Sequence, residues 1–432
     1  MSIFRSLGLH DPQSQMLWMR ILLGLYSLIT VWLGYRIVMR IAGKNAAIYT
    51  GLLLAFIAVL PNFSVRNLVE MACIPPLLGA VYLLQSNGGP QQTTTSYRKL
   101  VLAALLAGIA VGFRYQTVLM VAGMGIVVLL EQRFLRAAVF GITSGLAFFL
   151  TQADDIFLWG GTPFQHVFGY FGYNADNFAK YPGSPFAYLS FITYFILPPV
   201  SLFLLAGFLS NWKKKTLLVL PAVFFIVFHI IYPNRQERFL LPALPFFVMA
   251  GTIGWLTIVD LSSWWKKHSN LLRGLNTAFW TINLAAMLVM CFIYGKKARV
   301  ETMSYLYAQG DLSNFIQEFS HTKDAAMLPQ HYSGKWQTYY TLRSYTDKAK
   351  IIGSMRENAT KTEGDIHDIP LPNYLIFMDN DSLQARVDTM KMYFPTLRPC
   401  TTFTSGRFDQ LLHRLNPINR VETIHIYKFE YP

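Results

Sequence analysis

The chain has 432 residues, of which 53% are hydrophobic and only 14% charged, against roughly 25% charged in an average soluble domain. No single soluble core absorbs that much apolar sequence, so an ordinary globular protein is excluded. The net charge of +14 does not argue for nucleic acid, because the basic residues of the first 294 positions flank apolar blocks instead of forming one patch.

The first fifteen residues lack the apolar core of a signal peptide. Apolar blocks then follow one another from Leu17 to Tyr294, whereas Gly295–Pro432 has ordinary polar content. The length needed to cross hydrocarbon predicts spans near 17–38, 46–60, 68–85, 100–113, 117–131, 134–152, 187–210, 216–232, 239–258 and 276–294. Residues 1–294 thus read as a transmembrane domain of about ten spans, and 295–432 as an extracytoplasmic soluble domain.

Alternate connections differ in charge. One set carries Arg36, Arg40 and Lys44, Arg98 and Lys99, Arg133 and Arg136, Lys213–Lys215, and Lys266, Lys267 and Arg273, which makes it cytosolic. The other set carries only Arg66, Arg114, Lys180, Arg235 and Arg238, includes the aromatic loop 153–186, and faces outward with the C-terminal domain. Ten spans with an outward C-terminus leave the N-terminus outside as well, which predicts an eleventh span upstream.

Charge at the end of a span is costly unless solvated, paired or used, and four outward patches need such an explanation. In Ser64-Val65-Arg66-Asn67-Leu68-Val69-Glu70, Arg66 and Glu70 have the spacing to pair along a helix or to snorkel. Arg114, in Gly112-Phe113-Arg114-Tyr115-Gln116-Thr117, serves either a phosphate or the structure. Asp154 and Asp155 follow an apolar span and precede Thr162-Pro163-Phe164, His166 and an aromatic, glycine-rich run. They are either solvated or positioned as base and partner for sugar hydroxyls, and His166 alone reads as interfacial. The sharpest patch is Tyr232-Pro233-Asn234-Arg235-Gln236-Glu237-Arg238-Phe239, where Arg235 or Arg238 is expected to bind a lipid-linked phosphate and Glu237 to orient one of them. His229, within the preceding span, is expected to be a hydrogen-bonded packing residue. Cys73, Cys291 and Cys400 have neither metal nor redox spacing, and no nucleotide, metalloprotease or nucleophile-elbow motif occurs, so neither metal nor cofactor is expected.

At these patches the chain resembles glycosyltransferase family 22, the polyprenyl-phosphate-sugar-dependent mannosyltransferases of GPI and asparagine-linked glycan synthesis. Glu237-Arg238-Phe239-Leu240-Leu241-Pro242 is similar to the family's glutamate-arginine-phenylalanine motif, Ser64–Glu70 to its serine-asparagine-rich segment, and Asp155-Ile156-Phe157-Leu158-Trp159-Gly160 to its acid-then-aromatic loop. Arg114 falls where the family has an arginine, and Met327–Ser333 resembles a lumenal segment with Gln330 in place of the usual cysteine. The resemblance implies a GT-C-like α-helical multi-span fold in a plasma or ER membrane. It also implies a polyprenyl- or dolichyl-phosphate sugar as donor, mannose in particular, a glycan or glycolipid acceptor on the non-cytosolic face, and inversion at the anomeric carbon. Asp155 and Asp154 would then be catalytic, Arg114, Arg235 and Arg238 would bind the donor phosphate, and Arg66, Glu70, Glu237 and His166 would support them. The family's principal catalytic acid lies in an acidic pair on its first outward loop, and Gly8-Leu9-His10-Asp11-Pro12-Gln13 resembles a stretch downstream of it. The chain is therefore expected to lack the first span and that loop. An inactive truncated homologue, or a transporter or flippase of a lipid-linked saccharide, is the alternative.

In the last third, helices are predicted near 311–320, 382–393 and 407–414 and strands at Tyr374–Phe377 and Ile424–Phe429, giving a small α/β or α+β domain. Glycosylation sequons at Asn62, Asn358 and Asn380 are too common by chance to fix a compartment.

Overall fold

The computed structural model of the protein describes residues 2–85, 95–158, 160–176, 184, 186–210, 216–233, 235–319, 327–342, 370–417 and 421–430. Trp159, Lys180, Lys213–Lys215, Asn234 and the sequon at Asn358 lie outside the described residues. The chain divides into two compact units: Met19–Cys291, and a second that joins Met1–Trp18 to Phe292–Pro432.

The helices run α1 (Ser2–Ser6), α2 (Pro12–Phe56), α3 (Val59–Ser64), α4 (Val69–Ala72), α5 (Ile74–Leu84), α6 (Tyr97–Phe113), α7 (Val118–Gln132), α8 (Phe134–Thr151), α9 (Ala153–Phe157) and α10 (Gln165–Asp176). They continue as α11 (Ala187–Phe195), α12 (Val200–Ser210), α13 (Thr216–Ile231), α14 (Leu244–Leu261), α15 (Ser263–Lys267), α16 (Ser269–Cys291) and α17 (Lys297–Gln309). Short 3-10 turns, Tyr115–Thr117 and Glu237–Ala243, lead into α7 and α14.

Five described helical stretches are long and apolar enough to cross a bilayer: Pro12–Phe56, Tyr115–Gln132, Phe134–Phe157, Glu237–Leu261 and Ser269–Cys291. Val69–Leu84, Val200–Ser210 and Thr216–Ile231 are shorter apolar helices beside them. The stretch ending in α14 is 89% buried and α16 only 11%. The former is the axis of the bundle, and α16 turns Leu284, Leu288 and Val289 outward as lipid-facing surface. Close packing around the axis relies on small residues. A Cβ on Gly207 of α12 would sit 2.0 Å from the Gly251 carbonyl oxygen of α14, so only glycine permits that approach.

Three of the predicted spans differ in form. The segments expected at 17–38 and 46–60 are joined in α2 and meet at Gly43, whose φ of 81° is a backbone state that suits glycine. The segment expected at 187–210 is broken into α11 and α12, because Pro198 and Pro199 supply no N–H to continue the first helix.

The second unit is built on β1 (Phe315–Glu318), β2 (Tyr340–Leu342), β3 (Tyr374–Phe377), α18 (Leu383–Lys391), β4 (Arg398–Thr404), α19 (Arg407–Leu415) and β5 (Thr423–Lys428). The sheet order is β2-β1-β3-β5-β4, parallel across β2, β1 and β3 and antiparallel across β3, β5 and β4. Met303 and Leu306 of α17 cover one face with Phe315, Ile376 and Ile426, while Val387 and Met390 of α18 cover the other with Ile316, Leu375 and Phe377. Burial on both faces explains the unbroken Tyr-Leu-Ile-Phe run of β3.

The helix predicted at 311–320 is not formed, since Phe315–Glu318 is a strand. Leu312, Phe315, Ile316 and Phe319 mimic helical spacing. The four-residue strand instead sends alternate side chains to the two cores, and pairing with β2 and β3 outweighs the pattern.

Candidate functional site

The connection between α3 and α4 is extended at Leu68 (φ −115°, ψ 121°), so Arg66 and Glu70 do not share a helix. The helical Arg66–Glu70 pair that the spacing allows is therefore not formed, and Arg66 lies 5.9 Å from the centre of the Phe63 ring. Glu70, 3% exposed in the first turn of α4, pairs through Oε1 with Arg114 Nη1 at 2.7 Å and stands 3.7 Å from Arg238 Nε. Three connections far apart in sequence thus meet at one buried carboxylate.

Arg114 leaves the end of α6 in an extended conformation (φ −149°, ψ 108°) and its carbonyl accepts the Thr117 hydroxyl at 2.8 Å. The guanidinium is held inside the bundle, 6% exposed, with its centre 5.0 Å from that of the Phe239 ring. Its Nη1 serves Glu70, but among the described residues its Nε and Nη2 have no hydrogen-bond partner. Buried charged donors without acceptors are costly. Two arginines around one carboxylate also leave the cluster with a net positive charge, the electrostatic arrangement an anion requires.

Arg238 is half-exposed and donates through Nε to Gln236 Oε1 at 3.0 Å. The carboxylate beside it is Glu70; among the described residues no ion pair joins Glu237 to Arg235 or Arg238, contrary to expectation. Arg235 turns back and donates through Nη2 to the Ile230 carbonyl at 2.7 Å, closing the end of α13. His229 is buried and its Nδ1 donates to the Phe225 carbonyl at 2.7 Å, which is hydrogen-bonded packing as expected.

The acidic patch folds differently from a pair of solvated carboxylates. Asp154 is exposed, but Asp155 is 1% exposed and its Oδ1 accepts from His166 Nδ1. The turn that makes this contact is fixed by the Gly161 N–H on the Asp155 carbonyl at 2.8 Å and by Gly160 with φ 62°. His166 keeps about half of its side chain exposed, so a buried carboxylate sits behind an accessible imidazole.

Aromatic contacts carry this loop toward the arginines. Phe164 packs on Phe148 and Phe149, Phe148 on Tyr115, and Tyr115 on Tyr170 and Phe171 of α10. The Gln116 amide donates to the Tyr170 hydroxyl, and the Tyr232 hydroxyl donates to the Asn174 carbonyl at 3.1 Å. Between them lies a cavity of about 310 Å³, lined among others by Gln116, Tyr170, Asn174, His229, Tyr232 and Phe239. A second cavity of about 420 Å³ shares Phe171 and is otherwise almost wholly apolar, with Val118, Ala122, Phe140 and Phe148 in its wall. Aromatic faces flanked by amides and phenols accept a polar ring, and the apolar neighbour accepts hydrocarbon. In the sequence Tyr170 and Asn174 take no role, and Tyr232 enters only as the first residue of the arginine patch; the signal is polar and phenolic side chains set among apolar ones.

The other set of connections carries a different chemistry. There the Arg40 guanidinium lies 3.7 Å from the Tyr82 ring centre, Arg136 4.5 Å from that of Tyr97, and the Thr216 hydroxyl donates to Glu131.

The fold is that of a GT-C-like, α-helical multi-span membrane protein. The chain belongs to the Alg9-like mannosyltransferase family, whose model matches residues 1–332. Among solved structures it is similar to ArnT from Cupriavidus metallidurans in the apo state, with a TM-score of 0.54 and 12% identity over 94% of this chain and 83% of that one. Against the same protein bound to undecaprenyl phosphate the TM-score is 0.51, with equal identity and coverage. No curated protein sequence matches the chain. The likeness to ArnT concerns the fold; the chain is a membrane glycosyltransferase by its family.

Proposed function

We propose that the protein transfers a hexose, mannose in particular, from a polyprenyl- or dolichyl-phosphate donor to a hydroxyl of a glycan or glycolipid on the non-cytosolic face. The observation that carries this reading is Arg114, a buried guanidinium with two nitrogens open and its third group spent on Glu70. An arginine so prepared is a receptor for a phosphate oxygen. Family membership supports mannose, binding of undecaprenyl phosphate by ArnT supports a lipid-phosphate donor, and the low positive charge of the connections that carry the site supports the outward face.

In this reading the donor phosphate lies against Arg114, with Arg238 at its exposed side. The hexose occupies the cavity of Gln116, Tyr170, Asn174 and Tyr232. Asp155 holds His166 so that the imidazole takes the proton of the acceptor hydroxyl, with exposed Asp154 available to a second hydroxyl. The acceptor oxygen attacks the anomeric carbon opposite the phosphate. The carbon–oxygen bond to the phosphate breaks, its electron pair goes to the leaving oxygen, and the arginines stabilise that charge. Configuration at the anomeric carbon is inverted.

Purified protein given radiolabelled polyprenyl-phosphate mannose and a glycolipid acceptor is expected to release polyprenyl phosphate and label the acceptor. Binding of the donor without transfer points to a transporter or an inactive homologue and overturns the proposal. Unchanged turnover in Arg238→Ala removes that residue from the phosphate site.

A further inference from the structure

Helix α19, Arg407-Phe408-Asp409-Gln410-Leu411-Leu412-His413-Arg414-Leu415, has no buried residue. At helical spacing Phe408, Leu411, Leu412 and Leu415 fall on one stripe, while Asp409, Gln410 and His413 fall on the opposite side. Leu411 is 50% exposed and Leu415 74%. The rest of the second unit encloses two sheet cores, and α19 contributes no residue to either. Phe408 and Leu412 are half-buried, so the solvent-facing part of the stripe is Leu411 and Leu415; their solvation is unfavourable by roughly 25 cal/mol per Å² of apolar surface, and these two call for an apolar neighbour.

The chain itself says what that neighbour is. The transmembrane helix α16 ends at Cys291, and Tyr294 follows three residues later, within roughly 11 Å of that end by chain length. Gly406, which precedes α19, lies against Tyr294: a Cβ built on it would stand 3.6 Å from the Tyr294 carbonyl oxygen. Chain connectivity alone therefore tethers the start of α19 within a short reach of the residue that ends α16. Phe292 and Tyr294, both exposed, are the aromatic residues expected where a span leaves the bilayer. The exposed Arg407 and Arg414 border the apolar stripe and suit lipid phosphates.

We propose that α19 is an interfacial anchor, lying in the headgroup region with Leu411 and Leu415 inserted toward the acyl chains and Arg407 and Arg414 among the phosphates. The inference rests on the membrane placement of α16 and is independent of the transferase chemistry. Its occupant is the lipid surface of the bilayer that α16 crosses.

The test uses the full chain in lipid nanodiscs. In a background with the exposed Cys291 and Cys400 replaced by serine, an environment-sensitive fluorophore is attached at Leu411→Cys, Leu415→Cys or Gln410→Cys. The expected result is a blue-shifted emission at 411 and 415 that brominated lipid quenches and aqueous iodide does not, with the reverse at 410. Iodide quenching at 411 and 415 places the stripe in water and overturns the proposal. Protection there from both quenchers means a protein surface covers it, which also overturns it. The unlabelled protein gives a second reading: a phospholipid carrying a photoreactive group near its headgroup should cross-link to the tryptic peptide Phe408–Arg414, and absence of that adduct counts equally against the anchor.

Discussion

Among the described residues two arginines are buried, and their surroundings differ in kind. Arg386 of α18, 1% exposed, is saturated: its Nε bonds Glu318 at 2.9 Å, its Nη1 bonds Asp379 Oδ1 at 2.6 Å and the Asp381 carbonyl at 2.9 Å, and its Nη2 also reaches Glu318. Arg114, nearly as buried, spends one nitrogen on Glu70 and leaves two open. Burial of the charge is common to both; only the second retains capacity to bind. A saturated buried arginine belongs to the scaffold, and the unsaturated one is the group proposed to bind the donor phosphate.

The largest effect expected from this contrast is on folding. Arg386→Met strands Glu318 in the sheet core and should cost about 3–5 kcal/mol, read as a lowered midpoint for unfolding of the second unit by limited proteolysis. Adding Glu318→Gln should recover part of that loss. A drop smaller than about 1 kcal/mol would show that the saturated cluster does not support the fold.

Next comes Arg114→Lys, which keeps the charge beside Glu70 and removes the forked donors. Turnover should fall by about 10²–10³, the scale for loss of one preorganised oxyanion donor, with little change in melting temperature. Loss of activity together with loss of fold would place Arg114 with Arg386 as scaffold.

Asp155→Asn and His166→Ala should each lower turnover by about 10²-fold or more while leaving donor binding intact, because the two act as one unit. Loss in the aspartate variant alone would make Asp155 the sole base.

The smallest effect is that of acid on the second unit. The Lys428 ammonium, with the Tyr374 hydroxyl, holds the Asp311 carboxyl below its ordinary 3.8. Burial pushes Glu422 up, but Arg299 and Lys296 outweigh it and bring that carboxyl below its ordinary 4.5. A carboxyl with a depressed pKa adds stability at higher pH and gives it up as pH falls through the folded value. Unfolding midpoints should therefore be flat near neutrality and decline below about pH 4, and Asp311→Asn should flatten part of that decline.

Much of this contrast was written in the sequence, and some was not. Arg114, Arg238 and Glu70 stood out because charge among apolar spans needs a reason, and local patches were legible as patches. Their pairing is not: the spacing offers Glu70 its neighbour Arg66, and only the extended backbone at Leu68 redirects it to Arg114. The burial of Asp155 behind His166 depends on a turn at Gly160 and Gly161 that returns α10 onto α9, which adjacent acids do not announce. In the second unit β3 and β5 followed from apolar, β-branched runs. Strand β1 was hidden because a strand feeding two cores and a helix feeding one can place apolar residues at the same positions.

The open nitrogens of Arg114 are proposed to hold a lipid-linked phosphate. The proposal's most direct test is the affinity of polyprenyl phosphate, without sugar, for the native protein and for Arg114→Lys in nanodiscs. Loss of charge-assisted hydrogen bonds predicts binding weaker by about tenfold to a hundredfold in the variant. Equal affinities in two equally folded proteins would contradict it.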